Sequence, residues 1–152
     1  MKKFELTTET KVIFGKTLYR IRALISFSDV TAGDLGGWVE KESNLAHDGN
    51  AWVTENAWVT ENARVMGNAV VEKPVHLLTV GAIGSRNDFT TFFRSEDKQI
   101  RVACGCFYGT IAEFAEKVKA THGDSKHAKT YALAIELAKA QIEDVEGRQP
   151  CD

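Results

Sequence analysis

The sequence has no surplus of either charge. Its formal net charge at pH 7 is −2, whereas proteins that grip phosphate backbones in general carry a basic excess, so general nucleic-acid binding is disfavoured. Three cysteines, an odd number, with two of them at Cys104 and Cys106, make no disulfide framework and point to a reducing cytoplasm. The opening MKKFELTTETK has no apolar run and so no secretory signal. No apolar stretch approaches the ~20 residues that span a membrane. No Walker-type loop, dinucleotide fingerprint or HExxH motif occurs. The Gly-rich runs GDLGG and VGAIGS lack the following helix that a phosphate cradle needs. Zinc sites use four ligands in paired spacing, and Cys104-Gly105-Cys106 does not supply them. As i and i+2 on a strand, these two cysteines share a face and suit core packing. No cofactor and no metal is implied.

What the chain does have is a repeat. Residues 44–71 read NLAHDGNAWVTENAWVTENARVMGNAVV, with AWVTEN occurring twice in succession. Asn falls at 44, 50, 56, 62 and 68, Ala at 51, 57, 63 and 69, and Val at 53, 59, 65 and 71. A strict period of six marks a stacked β-solenoid. Each hexapeptide supplies one short strand and one corner, and three complete a coil of eighteen residues. Val suits the inward, packed position, and Asn suits a left-handed corner. Residues eighteen apart then stack: Val53 on Val71, Val59 on Leu77 and Val65 on Ile83. Backward the pattern decays, because Lys41 and His47 occupy the inward slots.

The run NAWVTENAWVTENARVMGNAVV resembles the hexapeptide-repeat proteins, and the resemblance implies a left-handed β-helix that assembles as a homotrimer. Three further phrases, LYRIRAL (18–24), GDLGGWVEKESNLAHDGNAWV (33–53) and GCFYGTIAEFAEKVKATHGDSKHAK (105–129), resemble a group of phage and prophage proteins of unassigned function. That resemblance implies a cytoplasmic protein of an infected bacterium that inhibits or sequesters a component of host antiviral defence. The partner would be a host protein or a small nucleotide signal.

The fold class expected is mixed β/α: a short left-handed parallel β-helix with flanking β-hairpins and a C-terminal helical hairpin. Residues 1–30 form an N-terminal hairpin turning at Gly15-Lys16, and residues 31–86 the β-helix. Residues 87–145 form a hairpin (88–95 with 99–107) followed by two helices, and residues 146–152 a frayed tail. Thr110 and Glu113 make a capping box at the start of the first helix, which Gly123 stops. The second helix runs to about Val145.

The candidate binding residues come from two places. On the strand KTLYRIRAL, Arg20 and Arg22 project the same way with Lys16 close by, as a clamp for carboxylates or phosphates would require. In the repeat, Trp52 and Trp58 occupy the slot before an inward Val and point outward, a slot continued by Arg64, Val70 and His76. Outward Trp must be covered, by the chain's own ends or by a neighbouring subunit. The alternative functions are a hexapeptide-repeat acyltransferase, a family that uses a His base and for which His47 or His76 is the candidate here, and a purely structural trimerisation module. His122, near a helix C-terminus, is explained by the helix dipole.

Overall fold

The computed structural model describes residues 1–54 and 56–142. The expected helix end near Val145 and the tail 146–152 lie outside the described residues. The chain divides into two compact units, Met1–Pro74 and Val75–Asp152.

In the first unit, β1 (Phe4–Ile13) and β2 (Lys16–Ala23) form an antiparallel hairpin. Its turn is Phe14-Gly15, one residue earlier than Gly15-Lys16. Both residues have positive φ, 50° and 79°, which matches the right-handed twist of the flanking strands. Strand β3 (Leu35–Val39) lies antiparallel to β2 and parallel to β5 (Trp58–Val59). Strand β4 (Trp52–Val53) is parallel to β6 (Val70–Val71), and a parallel bridge joins Leu45 to Val65. The interior row is therefore Val39, Leu45, Val53, Val59, Val65 and Val71, all essentially inaccessible.

Val53 stacks on Val71 at the eighteen-residue spacing, but the other two expected stacks do not form. Val59 pairs with Val39, and Val65 with Leu45, each twenty residues away. The cause is a two-residue insertion between Leu45 and Val53. It throws a backward count in sixes onto His47 and Lys41 and hides the true members two residues upstream. Forward, the row stops. Pro74–His76 forms a 3-10 turn, and Leu77 and Ile83 belong to a strand of the second unit, opposite Phe93 and Asp88. Residues 72–86 thus contribute no further parallel rung.

The corners also differ. The left-handed residue precedes Asn in each described corner, as Gly49, Glu61 and Gly67, with φ of 73°, 56° and 67°. Glycine takes that conformation without a Cβ penalty. At Glu61 the strain is offset by the backbone N–H donating to Glu40 at 2.6 Å and by the carboxylate pairing with Lys16. Asn44 is not a corner at all. It is fully buried, and its Nδ2 donates to the carbonyls of Glu61 (3.1 Å) and Ala63 (2.9 Å).

The second unit is an antiparallel meander of β7 (Leu77–Ile83), β8 (Asp88–Arg94), β9 (Ile100–Cys104) and β10 (Phe107–Thr110), in the order β10-β9-β8-β7. The sequence signal showed β8 and the start of β9. It missed β7, taken into the repeat, and β10, because the chain reverses at Gly105-Cys106 instead of continuing as strand. Helix α1 (Ile111–His122) begins with a capping box: Thr110 Oγ1 accepts from the Glu113 N–H (3.2 Å) and the Glu113 carboxylate from the Thr110 N–H (3.1 Å). It ends at Gly123, and α2 (Lys126–Ile142) follows. The helical stripes Phe114, Val118, Tyr131, Ile135, Ala138 and Ile142 pack on Phe92, Ile100 and Val102 of the sheet.

Candidate functional site

The expected clamp on the N-terminal strand is occupied by its own chain. Lys16 Nζ lies 2.6 Å from Glu61 and 3.5 Å from Glu40, and the Glu61 hydrogen bond leads in holding its ammonium above the ordinary pKa. Arg20 pairs with Glu9 at 3.4 Å, donates Nε to the Gly36 carbonyl at 3.2 Å and lies 5.7 Å from the Trp38 ring. Arg22 forms an ion pair with Glu5. The strand is also irregular. A register shift between Arg20 and Arg22 lets Leu18, Ile21 and Ala23 all be buried, which strict alternation does not allow.

Trp52 is only 5% exposed. Phe27 meets it edge-on at 5.4 Å, so cover comes from within the unit and the ring itself calls for no second subunit. Trp58 is half-buried beside Trp38, with Lys11 Nζ 4.4 Å from the Trp38 ring and 5.9 Å from that of Trp58. Arg64 is exposed. His76 does not continue the outward row. It is buried at the 3-10 turn, with Nε2 3.3 Å from Arg94 Nη1.

His47 has the carboxylate partner a catalytic base would want, yet no nitrogen to spare. Its Nδ1 accepts from the Lys3 N–H at 3.0 Å, which leaves the proton on Nε2, 2.8 Å from Glu42. The Phe4 ring stacks on it at 4.3 Å. The same contact to His47, ahead of that to Lys2, holds the Glu42 carboxyl below its usual range. This arrangement fixes the N-terminus in place and does not activate a nucleophile.

One concavity of the second unit gathers polar and aromatic side chains. A cleft of about 270 Å³ opens between two hairpin turns of the sheet and the helices. Arg86 comes from the β7–β8 connection, Asp88 from the start of β8, Cys104 from the end of β9 and Cys106 from the turn that follows. Lys117 and His122 come from α1, and Tyr131 from α2. Phe114 meets Tyr131 edge-on at 5.5 Å and His122 stacks on it at 5.8 Å, so the cleft has an aromatic wall. Burial, with the neighbouring Cys104 second, pushes the Tyr131 phenol up to about 12. The hydroxyl therefore stays a proton donor across the physiological range. Thr90 Oγ1 donates to Cys104 Sγ at 3.2 Å, and Tyr131 Oη lies 3.9 Å from the same sulfur. Cys104 is half-buried and Cys106 exposed in the turn. Only the first is near the packed interior, so the expected shared strand face is broken by the chain reversal. Arg86 and Lys117 make no hydrogen bond or ion pair among the described residues.

Sequence spacing missed Arg86, Lys117, His122 and Tyr131 as a group, because their convergence depends on the meander and on the α1–α2 turn. One local signal was available. A glycine between two cysteines after a β-rich run suits the first position of a two-residue hairpin loop, and Gly105 has φ 58°. Among the described residues, no grouping of three or more His, Cys, Asp or Glu could hold a metal ion, and no helix is long and apolar enough to cross a membrane.

No family model matches the chain. A curated protein of Escherichia coli (strain K12), described as the uncharacterized acetyltransferase YdcK, is 34% identical over 61 residues, covering 35% of this chain and 19% of the relative. The chain spans about a fifth of the length of the curated relative it matches. What is shared with an acetyltransferase is thus one segment of sequence.

Proposed function

We propose that the protein is a non-enzymatic binding protein whose cleft, in the second unit, takes a small anion with an apolar or aromatic body. The observation that carries this reading is that Arg86 and Lys117, which make no ion pair among the described residues, lie on a cleft walled by Phe114 and Tyr131. Among the described residues an anion entering there breaks no ion pair, whereas one approaching Lys16, Arg20 and Arg22 must displace Glu61, Glu9 and Glu5. The resemblance to phage and prophage proteins makes a nucleotide signal of the bacterial host the first ligand to try, sequestered in the cytoplasm. The first unit then serves as scaffold, a short left-handed β-helix associating as a homotrimer, with the trimer checked by light scattering.

Thermal-shift and calorimetric titration with mono- and cyclic nucleotides, against the uncharged nucleosides, tests the cleft. Stabilisation by the anions alone, lost in Arg86→Gln/Lys117→Gln, is expected. Equal responses to nucleotide and nucleoside, or none to either, would sink the proposal.

The acyltransferase reading is favoured by the 61-residue similarity to an acetyltransferase. Against it stand the engaged ring nitrogens of His47 and the burial of His76 beside Arg94. Release of free coenzyme A from acetyl-coenzyme A in the presence of amine acceptors, at a rate lost in His47→Ala, would establish it.

A further inference from the structure

The cleft holds one more pair of groups that ligand binding by itself does not use. Cys104 ends β9, and Cys106 lies two residues on, in a turn closed by the pairing of Cys104 with Phe107. Both line the same cavity and both are free. The window for bridging two cysteines is a Cα separation of roughly 4.4–6.8 Å, which residues i and i+2 of a tight turn satisfy. Arg86 reaches over the turn, its Nη1 3.6 Å from where a Cβ on Gly105 would stand. Disulfide exchange proceeds by attack of an accessible thiolate on a disulfide sulfur, and Cys106 is the exposed thiol of the pair. The hydroxyls of Thr90 and Tyr131 flank the Cys104 sulfur and can donate to negative charge on it.

We propose that Cys104 and Cys106 form a thiol–disulfide exchange site for a low-molecular-weight disulfide that carries carboxylates, drawn to the thiols by Arg86 and Lys117. The inference goes beyond ligand binding and rests on that reading for the role of the two cations. Exposed Cys106 attacks first. Its thiolate bonds to one sulfur of the incoming disulfide, the S–S bond breaks, and the departing thiolate takes up the proton that Cys106 released. Cys104 then gives up its proton and attacks the Cys106 sulfur of the mixed disulfide. The second small thiol leaves with that proton, and a Cys104–Cys106 disulfide remains. The protein loses two electrons and two protons, and the small disulfide becomes two thiols.

The test uses the full chain with Cys151→Ser, so that only two thiols remain, and follows intact mass during incubation with glutathione disulfide. A transient single adduct followed by loss of two hydrogens is expected. In Cys104→Ser the adduct persists, because nothing resolves it. Arg86→Gln/Lys117→Gln slows the reaction with glutathione disulfide severalfold more than the reaction with the uncharged bis(2-hydroxyethyl) disulfide. Separate stable adducts on both cysteines, or the same rate for charged and uncharged reagents before and after the double substitution, would overturn the proposal. Nucleotide stabilisation that persists where exchange fails overturns the thiol site alone. Failure of both removes the cleft reading as well.

Discussion

Val39 and Val59 sit opposite each other in a parallel pair, twenty residues apart and with neither side chain accessible. Removing a packed Val side chain costs roughly 2 kcal/mol. Val39→Ala and Val59→Ala should each lower stability by about that amount, and the double substitution should show coupling, because the two sites share one contact. Val59→Asp buries an unpaired carboxylate and should unfold the rungs outright. Strictly additive alanine variants in urea denaturation would contradict the pairing.

Arg20 is tied to its surroundings through the Gly36 carbonyl, Glu9 and the Trp38 ring. Arg20→Glu should therefore destabilise the unit, while Arg20→Glu/Glu9→Arg restores part of the loss. An exposed ion pair contributes ~0.2–1 kcal/mol, so a restoration well above that range would show that more than the pair is involved. A melting temperature indifferent to Arg20→Glu would mean the strand face is merely solvated.

Lys3 gives the first unit a defined pH response. It is 1% exposed, with Nζ donating to the Ala51 carbonyl at 2.7 Å and the Gly49 carbonyl at 3.3 Å. Burial lowers its pKa to about 8 from an ordinary 10.5, against a smaller opposing pull from Asp48. Between those values the unfolded chain binds more protons than the folded one, so stability rises with pH across that window. The burial penalty is complete below about 8 and relieved above 10.5. In Lys3→Met the Lys3 contribution to that slope should vanish. Identical slopes for the two proteins in urea titrations from pH 7 to 11 would place the charge in water.

Gly84 and Gly123 both have positive φ, 80° and 57°, but different surroundings. A Cβ at Gly123 meets nothing within 4 Å, whereas one at Gly84 would strike the Tyr131 hydroxyl and lie 2.8 Å from Cζ. Gly123→Ala should lose only a backbone penalty, because φ 57° with ψ −118° lies outside the regions open to a residue with a Cβ. Gly84→Ala should lose more and also weaken any ligand of the cleft, because Tyr131 must move. Calorimetric melts that rank the two the other way would show that Tyr131 has room to give.

The hexapeptide period was legible at Val53 and Val71 because nothing interrupts the count between them. Val39 and Leu45 were hidden by two inserted residues, a change that moves register without altering which residue types point inward. The Thr110–Glu113 box and the Gly123 stop were readable because capping is local chemistry with a fixed offset. The cleft was not, since Arg86 and Tyr131 meet only through the folding of a sheet whose last strand begins after a reversal that Gly105 alone marks. Charge likewise misled at Lys16, Arg20 and Arg22. Their carboxylate partners lie on other strands and corners, at separations no periodicity records.

Strand order in the first unit, β1-β2-β3-β5, has a consequence for growth. A stack of parallel rungs offers hydrogen-bonding edges on which a like chain can polymerise. At β3 that edge is taken by β2, running the opposite way and backed by β1. The hairpin works as a terminator that is synthesised before the stack it closes. Copies of the protein therefore have no continuous ladder to extend through β3, and tandem duplication of hexapeptides could lengthen the stack only downstream of that edge.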